Sequence, residues 1–124
     1  MISNLKTLIV EDNTAFRDVL KEKLRAVFPS LVIGEAADGC EALEKAETLK
    51  PDLVFMDIRL PEENGIQLTQ QIVTRHPNTK VIFLTGHDSP EYRKAAFQAG
   101  GICYILKDSL NYVQFEKLIK SLVS

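Results

Sequence analysis

Five short apolar runs, each separated from the next by a longer segment of helical rhythm, constrain this chain more than any other feature. They are Leu8-Ile9-Val10, Leu31-Val32-Ile33, Leu53-Val54-Phe55-Met56, Val81-Ile82-Phe83-Leu84 and residues 102–106. Each is rich in β-branched or aromatic side chains and bounded by polar or turn residues, so each reads as a strand buried on both faces. Phe16, Val19, Leu20, Lys23, Leu24 and Val27 keep a 3.6-residue period that Pro29 closes. Ala42, Leu43, Ala46 and Leu49 do the same before Pro51, and Ile66, Leu68, Ile72 and Val73 follow Gly65 and stop before Pro77. Ser89-Pro90 has the form of an N-cap followed by proline at the first helical position. The helix it opens carries Tyr92, Ala95, Ala96 and Ala99, with Gly100-Gly101 ending it. Ser109 can cap a last helix carrying Val113, Phe115, Leu118, Ile119 and Leu122. Strand and helix alternate five times, which implies an α/β sandwich with a parallel sheet and right-handed crossovers.

At 124 residues the chain is one domain of ordinary size, long enough to bury a core without disulfide or metal staples. A formal net charge of -2 argues against nucleic-acid binding, which normally brings a basic excess. No apolar stretch has the length of a membrane span or a signal peptide. Cys40 and Cys103 form no CxxC pair and read as reduced thiols in a cytoplasmic protein. With His76 and His87 the only histidines, a multi-histidine metal site is excluded. His76, just before Pro77, reads as a helix end at the surface, and Asp38-Gly39 as a turn.

The informative positions are the C-terminal ends of the strands. The first runs into Glu11-Asp12, the third into Asp57, the fourth ends at Thr85 and the fifth at Lys107. Any one polar residue can end a strand simply because the chain is leaving the core. Together they deliver three carboxylates, a hydroxyl and an ammonium to one edge of a parallel sheet, where ligands of such sheets bind. Clustered carboxylates repel, and a hard divalent cation relieves that repulsion through oxygen ligands. A carboxylate can also attack phosphorus to give an aspartyl phosphate. The transferring group then needs its equatorial oxygens neutralised, by a metal on one side and a lysine on another. Asp57, Asp12, Glu11, Lys107 and Thr85 fill those roles.

With these residues in place the sequence resembles a receiver domain of a two-component response regulator, over residues 7–123. The matching pieces are Leu8-Ile9-Val10-Glu11-Asp12-Asn13, Leu53-Val54-Phe55-Met56-Asp57, Pro61 and Gly65, Leu84-Thr85-Gly86, and Gly101-Ile102-Cys103-Tyr104-Ile105-Leu106-Lys107. The resemblance implies a doubly wound fold, a three-layer sandwich whose five-stranded parallel sheet has the order 2-1-3-4-5. It implies that Asp57 accepts a phosphoryl group from the phosphohistidine of a sensor histidine kinase. Glu11, Asp12 and Asp57 would supply side-chain ligands to Mg²⁺ (or Mn²⁺), with a backbone carbonyl at Arg59. Thr85 and Tyr104 match the family's hydroxyl and aromatic switch positions; Thr85 is expected to swing inward and Tyr104 to follow from an outward to an inward rotamer. Arg59 and His87, each two residues beyond a site residue, match positions that influence phosphate lifetime, or are solvated loop residues. The fourth helix, fifth strand and fifth helix would form the surface read by an output domain or by a second copy in a homodimer.

Lys107-Asp108 stands where many receivers have Lys-Pro, so a cis peptide is less favoured there, a non-proline cis bond costing about 3 kcal/mol. The Lys-Asp form resembles receivers of LuxR-type transcription regulators, which carry a C-terminal helix-turn-helix domain. The expectation is a transcription factor whose output domain lies outside these residues; the alternatives are a stand-alone receiver and a pseudo-receiver that only binds proteins. A haloacid-dehalogenase-type phosphatase needs a second acid where Arg59 stands, and a flavodoxin-like carrier needs a phosphate loop where Glu11-Asp12-Asn13 would repel one.

Overall fold

The computed structural model describes residues 5–61 and 63–123. Its elements in chain order are β1 (Lys6–Val10), α1 (Thr14–Val27), β2 (Val32–Ala36), α2 (Gly39–Leu49), β3 (Leu53–Met56), β4 (Arg59–Leu60), β5 (Glu63–Asn64), α3 (Gly65–Arg75), β6 (Lys80–Thr85), α4 (Pro90–Gln98), β7 (Gly101–Leu106) and α5 (Tyr112–Val123). Five strands form one parallel sheet in the order β2-β1-β3-β6-β7, which is the expected 2-1-3-4-5 arrangement when the five long strands are counted alone. The short antiparallel pair β4-β5 lies outside that sheet and had no signal in the sequence.

Alternation along the strands divides the core in two. Leu8, Val10, Val54, Met56, Val81 and Phe83 pack with Ala42 and Ala46 of α2, Leu68 and Ile72 of α3, and Ala96 of α4. Ile9, Leu53, Phe55, Ile82 and Leu84 point the other way, onto Leu20 and Leu24 of α1 and Phe115 and Ile119 of α5. These are the three layers, and the central strands β1, β3 and β6 are buried on both faces because helices cover both.

The outer strands depart from that expectation. Val32 of β2 is 45% exposed and Ile102 of β7 is 40% exposed, since an edge strand has a neighbour on one side only and less helix above it. Leu31 precedes β2 rather than belonging to it. Val19 and Val113 fall in helices as expected but face outward, at 44% and 66% exposure.

Helix boundaries follow local capping chemistry. Side chains of Asn13, Asp38, Asn64 and Ser89 accept from backbone N–H groups at the starts of α1, α2, α3 and α4. Pro90 takes the first turn of α4, where its missing N–H costs nothing. Asp38 thus lies in the expected connection between the second strand and second helix, as the N-cap of α2, and Gly39 is already the first residue of that helix. Ser109 does not cap α5: it closes a 3₁₀ turn over Lys107–Ser109. Asn111 caps instead, its Oδ1 accepting from Val113 N–H at 3.0 Å and Gln114 N–H at 3.2 Å. Gly100, at φ 114, ends the fourth helix, whereas Gly101 already belongs to β7. All peptide bonds among the described residues are trans.

Candidate active site at the carboxyl edge of the sheet

The acidic residues converge because their strands are adjacent. β1 pairs with β3 in a register that sets Val10 beside Met56, so the residues that follow, Glu11 and Asp57, leave the sheet side by side. The ladder extends one further bond, from Asp57 N–H to the Val10 carbonyl at 3.1 Å. Glu11, Asp12 and Asp57 each place a carboxylate oxygen within 4.8 Å of the others. Glu11 and Asp57 are buried, and Asp12 is exposed at the mouth. Three hard oxygen donors of net negative charge suit a small divalent cation, so the residues fit Mg²⁺ or Mn²⁺.

Lys107, at the end of β7, reaches across to this cluster. Its Nζ pairs with Glu11 Oε1 and lies 3.4 Å from Asp57 Oδ2. The ring of Phe16 covers the ammonium, with Nζ 4.5 Å from the centroid, a cation–π contact in a water-poor place. Burial pushes the Glu11 carboxyl above its ordinary range, and repulsion from Asp57 adds to this against the pull of Lys107 and the Asn13 N–H. Burial would lower the Lys107 ammonium, but hydrogen bonding to Glu11 and the charges of Asp57 and Glu11 outweigh it and raise it. The second Glu11 oxygen accepts from Asn13 N–H at 3.1 Å. Asp57 Oδ1 accepts from Ile58 N–H at 2.8 Å, which orients the carboxylate.

The loop after Asp57 closes against it. Gly65 N–H donates to the Ile58 carbonyl at 2.7 Å. A Cβ on Gly65 would lie 1.9 Å from the Asp57 carbonyl oxygen, so no larger residue fits without displacing the backbone of Asp57 itself. This is the physical reason for a glycine eight residues after the aspartate.

Thr85 ends β6, the strand next to β3, and is fully buried. Its Oγ1 accepts from His87 N–H at 3.3 Å. Tyr104 lies on β7, and the structure holds it inward, 9% exposed, where an outward resting position was expected. The inward position satisfies its polar end: the hydroxyl donates to the His87 carbonyl at 2.5 Å. Phe83 packs against the ring at 6.2 Å between centroids, and the Arg93 guanidinium lies 4.6 Å above it. Thr85 and Tyr104 are thus joined through the backbone of a single residue, His87. The His87 ring itself sits edge-on to Tyr92. Arg59 is exposed at the start of β4. Among the described residues no hydrogen bond or ion pair joins the side chain of either to the cluster. His76 ends α3 as a half-buried cap whose Nε2 is 3.6 Å from Glu47 Oε1.

Three neighbours of the cluster were not singled out from the sequence. Asn13 entered only as part of a matching stretch, Phe16 only as a periodic apolar residue, and Arg17 not at all.

The family model of the response regulator receiver domain matches residues 7–121. The chain is 38% identical over 117 residues to the uncharacterized transcriptional regulatory protein YhcZ of Bacillus subtilis, covering 94% of this chain and 53% of that protein. It is 32% identical over 107 residues to the transcriptional regulatory protein DegU of Brevibacillus brevis, covering 86% and 45%. The chain therefore spans about half the length of these curated relatives. Among solved structures, the signal receiver domain of a DNA-binding response regulator from Colwellia psychrerythraea 34H superposes with a TM-score of 0.90 at 30% identity, covering 96% of this chain and 98% of that one. In sequence and in fold, the chain belongs to the response regulator receiver domain family.

Proposed function

We propose that this domain takes a phosphoryl group onto Asp57 from the phosphohistidine of a sensor histidine kinase and passes the change to an output, transcription being the output of its relatives. The observation that carries this reading is the Lys107 ammonium shared by the buried carboxylates of Glu11 and Asp57 beside Asp12. An Asp57 oxygen forms the new P–O bond as the P–N bond of the donor breaks, and the donor imidazole leaves with its electron pair. Lys107 pairs with one equatorial oxygen of the transferring group, and Thr85 donates its hydroxyl proton to another. Mg²⁺ held by Glu11, Asp12, Asp57 and the Arg59 carbonyl would neutralise the charge brought together there. Arg59 and His87, each two residues beyond a site residue, would influence how long the phosphoryl group lasts.

The same reading makes Thr85 and Tyr104 the switch, a shift between two existing arrangements of the β6–α4 loop. The surface of α4, β7 and α5 would be read by a partner, and the exposed Phe97 and Ile102 support its use as a contact or homodimer face. No described helix is long and apolar enough to cross a membrane. Both cysteines are free, and a cytoplasmic location without direct nucleic-acid contact by this domain belongs to the proposal.

The test is incubation with acetyl phosphate and Mg²⁺ followed by intact mass. One phosphate is expected on the wild type and none on Asp57→Asn or in excess chelator. Wild-type labelling of Asp57→Asn would overturn the assignment.

A further inference from the structure

Arg17 sits on the first turn of α1 with its side chain only 15% exposed. Its Nη1 donates to the Glu11 carbonyl oxygen at 2.5 Å, and its Nε donates to Glu35 Oε1 at 2.8 Å. Lys21 Nζ donates to the other oxygen of Glu35 at 3.0 Å, fixing that carboxylate in turn. The two peptide units that flank the Glu11 Cα are thereby each held by one bond. The Glu11 N–H donates to the Ala36 carbonyl of β2 at 2.9 Å, and the Glu11 carbonyl, past the last residue of β1, is taken by the guanidinium.

We infer that Arg17 is a positioning residue for the acidic pair: it fixes the peptide between Glu11 and Asp12 and so the directions in which both carboxylates face the metal site. The inference rests on the metal-dependent reading proposed above. Its distinguishing feature is selectivity between two parts of one site. Asp57 is tied to β1 through Val10, by a bond that does not involve Arg17. Losing the guanidinium therefore frees the Glu11-Asp12 peptide to rotate while Asp57 keeps its place. A lysine cannot substitute, because one ammonium does not span both the carbonyl and the carboxylate in the fixed fork of a guanidinium.

The experiment uses the full chain. Calorimetric titration with MgCl₂ alone measures metal affinity, and phosphorylation by acetyl phosphate across a Mg²⁺ series separates metal affinity from maximal rate. For Arg17→Met the Mg²⁺ dissociation constant should rise about tenfold, the scale of effects from groups that orient metal ligands. The rate at saturating Mg²⁺ should stay within about threefold of wild type, since Arg17 touches neither Asp57 nor Thr85 and Lys107 keeps Asp57 as a partner. Arg17→Lys should restore little of the affinity. Glu35→Gln, which loosens the guanidinium without removing it, should raise the dissociation constant about threefold and serves if Arg17→Met does not fold. Wild-type Mg²⁺ affinity in a folded Arg17→Met, or a lowered maximal rate with unchanged affinity, would overturn the inference. A wild-type chain that bound no Mg²⁺ would instead overturn the proposed function, and this inference with it.

Discussion

Substituting Gly65 with alanine adds one methyl group at the tightest backbone approach in the site. The new Cβ would stand 1.9 Å from the Asp57 carbonyl oxygen, 2.9 Å from its carbon and 3.0 Å from Ile58 Cα. All three are backbone atoms, so no side chain can turn aside to make room. The Asp57–Ile58 segment or the start of α3 must retreat by about 1 Å to reach even a tight contact, in an interior packed as densely as a crystal. Overpacking of this kind costs about 1–3 kcal/mol. The retreat also strains the 2.7 Å bond from Gly65 N–H to the Ile58 carbonyl, a loss of about 1 kcal/mol. A domain of 124 residues has an unfolding entropy near its melting point of about 0.26 kcal/mol/K. A total of about 2–4 kcal/mol then lowers the melting temperature by about 8–15 °C. Circular dichroism at a helix wavelength measures the shift. Gly86→Ala is the control, since a Cβ there has no atom within 4 Å; it should move the melting temperature by less than about 4 °C in either direction. Because the clash falls on the residue proposed to carry the phosphoryl group, acetyl phosphate labelling of Gly65→Ala should also slow. A melting temperature within about 3 °C of wild type would refute the packing argument.

Asn111→Ala should cost about 1 kcal/mol, or about 4 °C, because it removes the acceptor for two N–H groups at the start of α5. Ser109→Ala should cost almost nothing, and the reverse order would restore Ser109 as the cap. Thr85→Ala should still accept phosphate on Asp57 but lose most of the amide shift changes that beryllofluoride induces over residues 86–112; shift changes equal to those of wild type would show that the signal takes another route. Glu35 supplies a pH-dependent term. Partial burial alone would raise its carboxyl, but hydrogen bonds and charges from Lys21 and Arg17 outweigh burial and hold it below the ordinary value of 4.5. A depressed folded-state value means the stabilisation is present above pH 4.5 and fades as pH falls through the depressed value. The melting difference between wild type and Glu35→Gln should therefore be larger at neutral pH than at about pH 3, and an equal difference at both would contradict the sign.

What the sequence determined by itself was the periodic order of the chain and the identity of its chemistry. Runs such as Leu53-Val54-Phe55-Met56, short and bounded by polar or turn residues, read as strands covered on both faces, and the 3.6-residue rhythm between runs supplies the covers. The cap at Ser89, with proline after it, is local and was readable in the chain, whereas those at Asn13, Asp38 and Asn64 were seen only in the structure. The carboxylates, hydroxyl and ammonium at strand ends were legible because a parallel sheet sends all its carboxyl ends to one edge. Tertiary structure alone decided the rest. Exposure of Val32 and Ile102 depends on which strands lie outermost, a consequence of strand order that neither run contains. Asn111 rather than Ser109 caps α5 because a 3₁₀ turn first carries the chain away from the Lys107 end of β7. The inward Tyr104 depends on a carbonyl seventeen residues earlier in the chain, that of His87. Arg17 finds the Glu11 carbonyl and Glu35 only after β2 has been laid beside β1, because long-range pairs are set by packing and leave no periodic trace in the sequence.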